Sequence, residues 1–301
     1  MHLRILKALT LFALLLSVTA RGAWACPDFG GLADLNCDGR VEIVCFGDSI
    51  TFGVGDSLKL GYPGRLVQLR PGLFIRNLGD PGERTANGKG RASRRFSQYQ
   101  TADYAIILEG VNDYFQTDHT STNTRDNLLS MVRSASATGA VTMLANLTDV
   151  RREFQKPWVR AVNNRINPYR KIDFFALGTP IISSDLLHPN GNGYQQMALV
   201  ASSVLQQMSD QNRPIDSDQD GIYNFAEARY GTNPNLGDTD GDGILDGAEV
   251  FSYGSSPLSL DSDNDGYSDN YEVFELQSNP ADPKPGAPLL NELKAISAAV
   301  P

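Results

Sequence analysis

Val41-Glu42-Ile43-Val44-Cys45-Phe46 runs directly into Gly47-Asp48-Ser49-Ile50-Thr51. Six residues dominated by apolar and β-branched side chains read as a buried strand, and the Gly-Asp-Ser after them ends it. Four more runs, at residues 73–78, 104–108, 141–147 and 172–177, share this strand character. Between them lie helix-period segments: Tyr62, Leu66 and Leu69, then residues 128–136, 159–166 and 193–208. Alternation of this kind predicts an α/β fold, a parallel sheet flanked by helices, over residues 41–212. Ser49 then stands at the carboxyl end of the first strand, where open α/β sheets keep their ligand crevices.

A serine there is a nucleophile only if a base can take its proton. Three histidines are present, His2, His119 and His188. His2 belongs to the N-terminal segment, and His119, between Asp118 and Thr120, reads as a solvated loop residue. His188 stands in Asp185-Leu186-Leu187-His188-Pro189-Asn190, where a carboxylate three residues upstream can orient the imidazole and stabilise its protonated form. The GxSxG spacing of the strained nucleophile elbow is absent. Lys89, Arg91, Arg94 and Arg95 form a charge run that reads as a solvated helix face.

These segments resemble the SGNH hydrolase superfamily, the GDSL esterases and lipases. Gly47-Asp48-Ser49 with Thr51 and Gly53 is similar to its nucleophile block, and Asn77-Leu78-Gly79-Asp80-Pro81-Gly82 to its glycine block. Gly110-Val111-Asn112-Asp113 is similar to its GxND block, and Asp185 with His188 and Pro189 to its terminal DxxHP block. The resemblance implies Ser49 as nucleophile, His188 as general base and then acid, and Asp185 as its partner. It further implies an oxyanion hole of the Ser49 amide, the Gly79 amide and the Asn112 side chain, with no cofactor needed for catalysis. Asp80-Pro81 departs from the glycine-block pattern and bears on the geometry of that loop.

Charge divides the chain more sharply than its net of −9 suggests. Residues 26–212 are close to neutral, at +1, whereas residues 213–283 carry −14. No basic stripe is available to exchange for the counterions of a nucleic acid, so that class of partner is excluded. Residues 1–25 read as a signal peptide: Arg4 and Lys7 precede an apolar run, and Ala23-Trp24-Ala25 offers small residues for cleavage before Cys26. That places the mature protein outside the cytoplasm, secreted or periplasmic. The apolar run is too short for a membrane anchor. Lipidation of Cys26 is the weaker reading because Leu is missing at −3 and Trp stands at −2. In an oxidising compartment Cys26 and Cys37 could pair, leaving Cys45 in the first strand.

After Arg213-Pro214 a repeat begins. Its three loops carry acids at positions 1, 3 and 5, glycine at 6 and glutamate at 12, the oxygen-ligand spacing of a calcium loop. The first offers Asp216, Asp218, Asp220, the Ile222 carbonyl, Asn224 and Glu227. The second offers Asp238, Asp240, Asp242, the Ile244 carbonyl, Asp246 and Glu249, and the third Asp261, Asp263, Asp265, the Tyr267 carbonyl, Asp269 and Glu272. Too few residues separate the loops for EF-hand helices, and the segments resemble thrombospondin type 3 repeats, which implies structural calcium. Residues 26–40 hold a degenerate loop, Asp34-Leu35-Asn36-Cys37-Asp38-Gly39, similar to a dockerin half-repeat but with Cys45 at position 12. Residues 284–301 read as a loosely attached tail.

The expectation is a secreted serine ester hydrolase acting on acyl esters, such as short acyl groups on carbohydrate, or on lipid or aryl esters. A transferase using the same acyl-enzyme differs only in what attacks it. The rival is a calcium-dependent adhesion or surface-binding protein with a silent hydrolase fold, against which the joint retention of Ser49, Gly79, Asn112, Asp185 and His188 argues.

Overall fold

The computed structural model describes residues 26–115 and 120–283; the expected signal peptide, His119 and the expected tail lie outside them. The chain forms two compact units, one of Asp28–Arg213 and one that includes the repeats from Pro214 onward.

In the first unit, five parallel strands form one sheet: β1 (Glu42–Gly47), β2 (Phe74–Gly79), β3 (Tyr104–Leu108), β4 (Val141–Ala145) and β5 (Arg170–Ile172). Their order is β2-β1-β3-β4-β5. β1 and β3 are buried along their whole length, as expected of strands covered on both faces. The chain reverses its direction of travel across the sheet between β1 and β3, so the crevice at their carboxyl ends is the topological switch point. Around the sheet run α1 (Ser49–Phe52), α2 (Gly61–Leu69), α3 (Thr85–Phe96), α4 (Ser121–Ser136), α5 (Lys156–Ile166) and α6 (Gly191–Asn212). Thr120 caps α4 by accepting from the Asn123 amide, and Asn190 caps α6 by accepting from Gly193.

The fifth strand is shorter than the apolar run at 172–177 suggests. Asn146 Oδ1 accepts from the Phe175 amide at 3.0 Å, and Asp173 Oδ1 from Ala176 at 3.2 Å. These local side-chain bonds turn the backbone into a 3₁₀ turn, Phe175–Leu177, where the sequence suggested continued pairing.

Residues before β1 are fastened to the unit. Ala33 donates to Ser209 Oγ at 2.8 Å, the Tyr104 hydroxyl to the Ala33 carbonyl at 3.0 Å, and Leu35 to Asp103 at 2.8 Å. Asp34 accepts from the Asp38 and Gly39 amides, so its carboxylate organises this turn. Cys26 and Cys37 are disulfide-bonded, and Cys45 is a free thiol buried in β1. Among the described residues no helix is long and apolar enough to cross a membrane.

Each repeat is a loop followed by a short helical turn: α7 (Glu227–Tyr230), α8 (Asp246–Ala248) continuing to Tyr253, and α9 (Asp269–Tyr271) continuing to Leu276. Left-handed residues, Gly231, Gly254 and Gln277, end these turns.

Candidate active site and metal centres

The chain leaves β1 through Gly47, where a Cβ would lie 1.9 Å from the Leu108 carbonyl oxygen, so no other residue fits. Asp48 then accepts from the Ile50 amide at 2.9 Å and starts α1, which sets Ser49 in its first turn. Burial pushes the Asp48 carboxyl up to about 7, against the Ile50 amide that favours its charged form.

Ser49 Oγ lies 2.9 Å from His188 Nε2, and His188 Nδ1 lies 2.6 Å from Asp185 Oδ2. The three residues singled out in the sequence are therefore hydrogen-bonded in series. Asp185 and His188 come from a tight loop rather than a helix terminus: Ser183 donates to the His188 carbonyl, Leu186 to the Ser183 carbonyl, and Ile182 bridges Pro189. Leu186 takes a left-handed φ of 68°, a conformation costly for a leucine that holds Asp185 and His188 on one side of the turn. The Arg151 amide donates to its carbonyl at 3.0 Å and Arg152 to the Asp185 carbonyl, bracing the loop from outside.

Asp185 Oδ1 accepts from the Leu187 amide, the His188 amide and the Ser183 hydroxyl, at 2.8–2.9 Å. Partial burial pushes this carboxyl up, but those donors and the imidazole outweigh it and hold it well below the usual carboxylate range. An ionised Asp185 favours the tautomer with the proton on Nδ1, which leaves Nε2 to accept from Ser49.

Asn112 sits in the 3₁₀ turn after β3 and donates from Nδ2 to the Glu83 carbonyl at 2.9 Å, leaving its second amide hydrogen for another acceptor. Gly79 requires a correction. Its amide donates to Asn77 Oδ1 at 3.0 Å, while Asn77 Nδ2 donates to the Thr51 and Phe52 carbonyls at the end of α1. A Cβ on Gly79 would lie 2.1 Å from the Phe52 nitrogen, so this glycine permits close backbone packing and its N–H is already used. The departure at Asp80-Pro81 resolves into a tight turn: Glu83 donates to the Asp80 carbonyl at 3.1 Å, with Pro81 and Gly82 at its centre and Gly82 at φ +82°. Proline followed by a positive-φ glycine is the signature of a type II turn. The Gly82 amide has no acceptor among the described residues and the glycine is exposed.

Arg91 is also not the solvated residue the charge run suggested. Its guanidinium is 4.0 Å from the centre of the Phe46 ring, pairs with Glu83, and donates to the Leu78 and Gly47 carbonyls at 2.8 and 3.0 Å. It ties the carboxyl ends of β1 and β2 together directly beside the nucleophile. Lys89, Arg94 and Arg95 on the same helix are exposed.

In the repeats, Asp216, Asp218 and Asp220 each offer a carboxylate oxygen within 4.8 Å of the others, as do Asp238, Asp240 and Asp242, and Asp261, Asp263 and Asp265. The position-12 glutamates follow one rule. Glu227, Glu249 and Glu272 each accept with one oxygen from a hydroxyl of the following turn, Thr232, Ser255 and Ser278. Among the described residues the other oxygen of Glu227 and of Glu249 is buried without a donor, as are both of Asp218 and one each of Asp220, Asp240, Asp261 and Asp263. Buried carboxylate oxygens without donors are costly unless a cation meets them, so this donor set fits a hard divalent ion. Burial pushes Asp220 up to about 7 and Glu249 to about 8, with neighbouring acids adding to it.

The position-9 residues are the exception. Asn224 is occupied by Ser217, accepting from its amide at 2.9 Å and donating to its hydroxyl at 2.8 Å. Asp246 and Asp269 hold position 2 of their own loops in the same way, accepting from the amides and hydroxyls of Thr239 and Ser262, and stand in addition with acids of the preceding repeat.

The family of GDSL-like lipases and acylhydrolases matches residues 45–196, half of the chain. The chain belongs to that family. The bacterial TSP3 repeat matches residues 216–237, 238–259 and 261–283. Among solved structures, a member of the lipolytic G-D-S-L family from Veillonella parvula is 24% identical with a TM-score of 0.48, covering 55% of this chain and 97% of that one. A GDSL-like lipase from Bacteroides thetaiotaomicron is 19% identical, TM-score 0.47, covering 55% and 88%, and the psychrotrophic esterase EstA from Pseudoalteromonas sp. is 17% identical, TM-score 0.45, covering 55% and 97%. No curated protein matches the chain.

This GDSL-like acylhydrolase thus carries an esterase/lipase-type hydrolase domain followed by TSP3 repeats. The sequence reading passed over Ser183 and Arg152, and it gave Asn77 and Arg91 no part in holding the site. Ser183 left a signal, a hydroxyl two residues before the acid of the terminal block.

Proposed function

We propose that the protein is a secreted serine ester hydrolase working through an acyl-enzyme. The observation that carries this reading is the unbroken series Ser49 Oγ, His188 Nε2 and Nδ1, and Asp185 Oδ2 at 2.9 and 2.6 Å. Ser49 attacks the ester carbonyl carbon as His188 takes its proton. The same proton then goes to the leaving alcohol, and a water attacks the acyl-enzyme with His188 again as base. Asp185 stays ionised throughout and stabilises the imidazolium.

The developing oxyanion is met by the Ser49 amide and Asn112 Nδ2, with the Gly82 amide in place of the engaged Gly79. Short acyl esters on carbohydrate are the proposed substrates. In support, Phe115 and Phe154 are half exposed and both in ring contact with Tyr114, two residues after Asn112, the first edge-on and the second tilted, and Trp158 donates to the Gly110 carbonyl at 3.4 Å. Aromatic faces beside an oxyanion donor suit the apolar faces of sugar rings. The disulfide-bonded Cys26 and Cys37 support export to an oxidising compartment through residues 1–25.

Calcium is the ion proposed for the repeats, held by the loop acids and the position-12 glutamates. When bound it neutralises the clustered charge and cross-links each loop, and it takes no part in the hydrolysis.

The test is turnover of p-nitrophenyl acetate and of acetylated oligosaccharides by the exported chain beside Ser49→Ala. Turnover by the parent alone supports the reading; equal turnover by the variant, or none by the parent on either ester, refutes it.

A further inference from the structure

Arg91 stands beside the site, yet no step of the proposed hydrolysis uses it. Its guanidinium reaches acceptors on three separate segments. Nε and Nη2 pair with the Glu83 carboxylate, Nη1 donates to the Leu78 carbonyl at 2.8 Å, and Nη2 donates also to the Gly47 carbonyl at 3.0 Å. These segments carry the donors assigned to the oxyanion. Gly47 lies two residues before Ser49, and its carbonyl also accepts from the Asp80 amide at 2.9 Å, where the 80–83 turn leaves β2. Glu83 follows Gly82 directly, closes that turn on the Asp80 carbonyl, and with its own carbonyl takes one hydrogen of Asn112 Nδ2 at 2.9 Å.

We propose that Arg91 is a positioning residue of the oxyanion hole, aiming the second amide hydrogen of Asn112 through Glu83 and fixing the turn that presents the Gly82 amide beside Ser49. This inference rests on the hydrolase reading above and deepens it.

An ion pair open to water would hold little in place. Here the Arg91 side chain is 16% exposed and that of Glu83 6%, with the guanidinium over the Phe46 ring. The site also asks for arginine in particular, because a planar fork can hold a carboxylate and two carbonyls at once and an ammonium on a flexible stem cannot. Gly88, one turn before Arg91, sits in the interior of α3, where glycine weakens a helix. A Cβ there would lie 2.3 Å from Glu109 Oε1, so the helix is brought close against the end of β3. Burial pushes the Glu109 carboxyl well above its ordinary range, Glu83 and Asp48 add to it, and Arg91 opposes it, so a variant that removes this cation risks unfolding. Lysine keeps the charge and removes the fork.

The experiment measures p-nitrophenyl acetate kinetics and melting temperature of the full chain in calcium for the parent, Ser49→Ala, Arg91→Lys and Arg70→Lys. Arg70 is a control of matching connectivity that touches no catalytic block, since it donates to Ser202, Gly30 and Gln206. Arg91→Lys should lower kcat about ten- to a hundredfold with KM within about twofold of the parent, the size expected of a small displacement at the reacting centre. Arg70→Lys should lower the melting temperature and leave kcat unchanged. Because Arg91 acts through Asn112, adding Arg91→Lys to Asn112→Ala should cost much less than it does in the parent. Glu83→Gln, which removes one of the crowded acids, gives the same kcat readout should Arg91→Lys unfold. A kcat equal to the parent's in these variants, a loss confined to KM, or losses that multiply in the double variant would overturn the role of Arg91 and leave the hydrolase reading standing. No turnover by the parent, or equal turnover by Ser49→Ala, refutes both.

Discussion

The unit of residues 28–213 and the repeats of residues 214–283 differ in the balance of apolar and acidic side chains they bury. The first holds a continuous apolar cluster running from Leu32 to Met208. In the repeats the fully buried side chains include Asp220, Asp246, Glu249, Asp269 and Glu272, while Ile215, Phe225, Leu258 and Phe274 are exposed. A fold of the first kind is stabilised by the transfer of apolar surface out of water, roughly 25 cal/mol for each Å². The second kind has mutually repelling carboxylates where a core would be and must take its stability from what neutralises them. On the proposed reading, one chain joins a scaffold stabilised by apolar burial to a module stabilised by the ion it binds.

The strongest challenge to this contrast is removal of calcium. Chelation should abolish protection of residues 216–283 against proteolysis while leaving the melting transition of the hydrolase unit and its esterase turnover unchanged. A common loss of both would collapse the distinction. On the other side, Ile106→Ala, in the central strand β3, should cost about 2–5 kcal/mol from lost burial and the cavity left behind. That would appear as a lower melting temperature for the hydrolase unit with an unaltered calcium count.

Asn112→Ala should lower kcat by a hundredfold or more, about 3 kcal/mol, because one of its amide hydrogens meets the developing oxyanion, with a much smaller loss of stability from the bond to the Glu83 carbonyl. An equal loss of melting temperature would reassign Asn112 to holding the Glu83 turn.

The smallest effect concerns pH. Asp48 is raised from its ordinary value to about 7, so the folded state binds a proton that the unfolded chain has released. Its contribution to stability is full below the unfolded value and is lost as pH rises through about 7. In saturating calcium, Asp48→Asn should flatten the decline in melting temperature of the hydrolase unit between pH 5 and about 8. An unchanged slope would show that Asp48 is not the group responsible.

Much of this was legible in one dimension. Strand runs, helix periods and the position of Ser49 after β1 gave the sheet and its crevice, because burial on both faces leaves an unmistakable apolar run. Asp185 and His188 were legible because few bases compete for the role. What the sequence did not disclose was direction. Whether the Gly79 amide points at a substrate or at Asn77, and whether Arg91 turns to solvent or onto Phe46, depends on the path of the neighbouring chain. The end of β5 was hidden for a related reason, since Asn146 and Asp173 take over the backbone amides that the apolar run promised to the sheet.

The most direct test of the central claim is covalent titration of the purified chain with a fluorophosphonate, followed by peptide mass analysis, in calcium and again in chelator. The account predicts one equivalent of label on Ser49 in both conditions and none in Ser49→Ala. Absence of label, label on another residue, or label that requires calcium would contradict it.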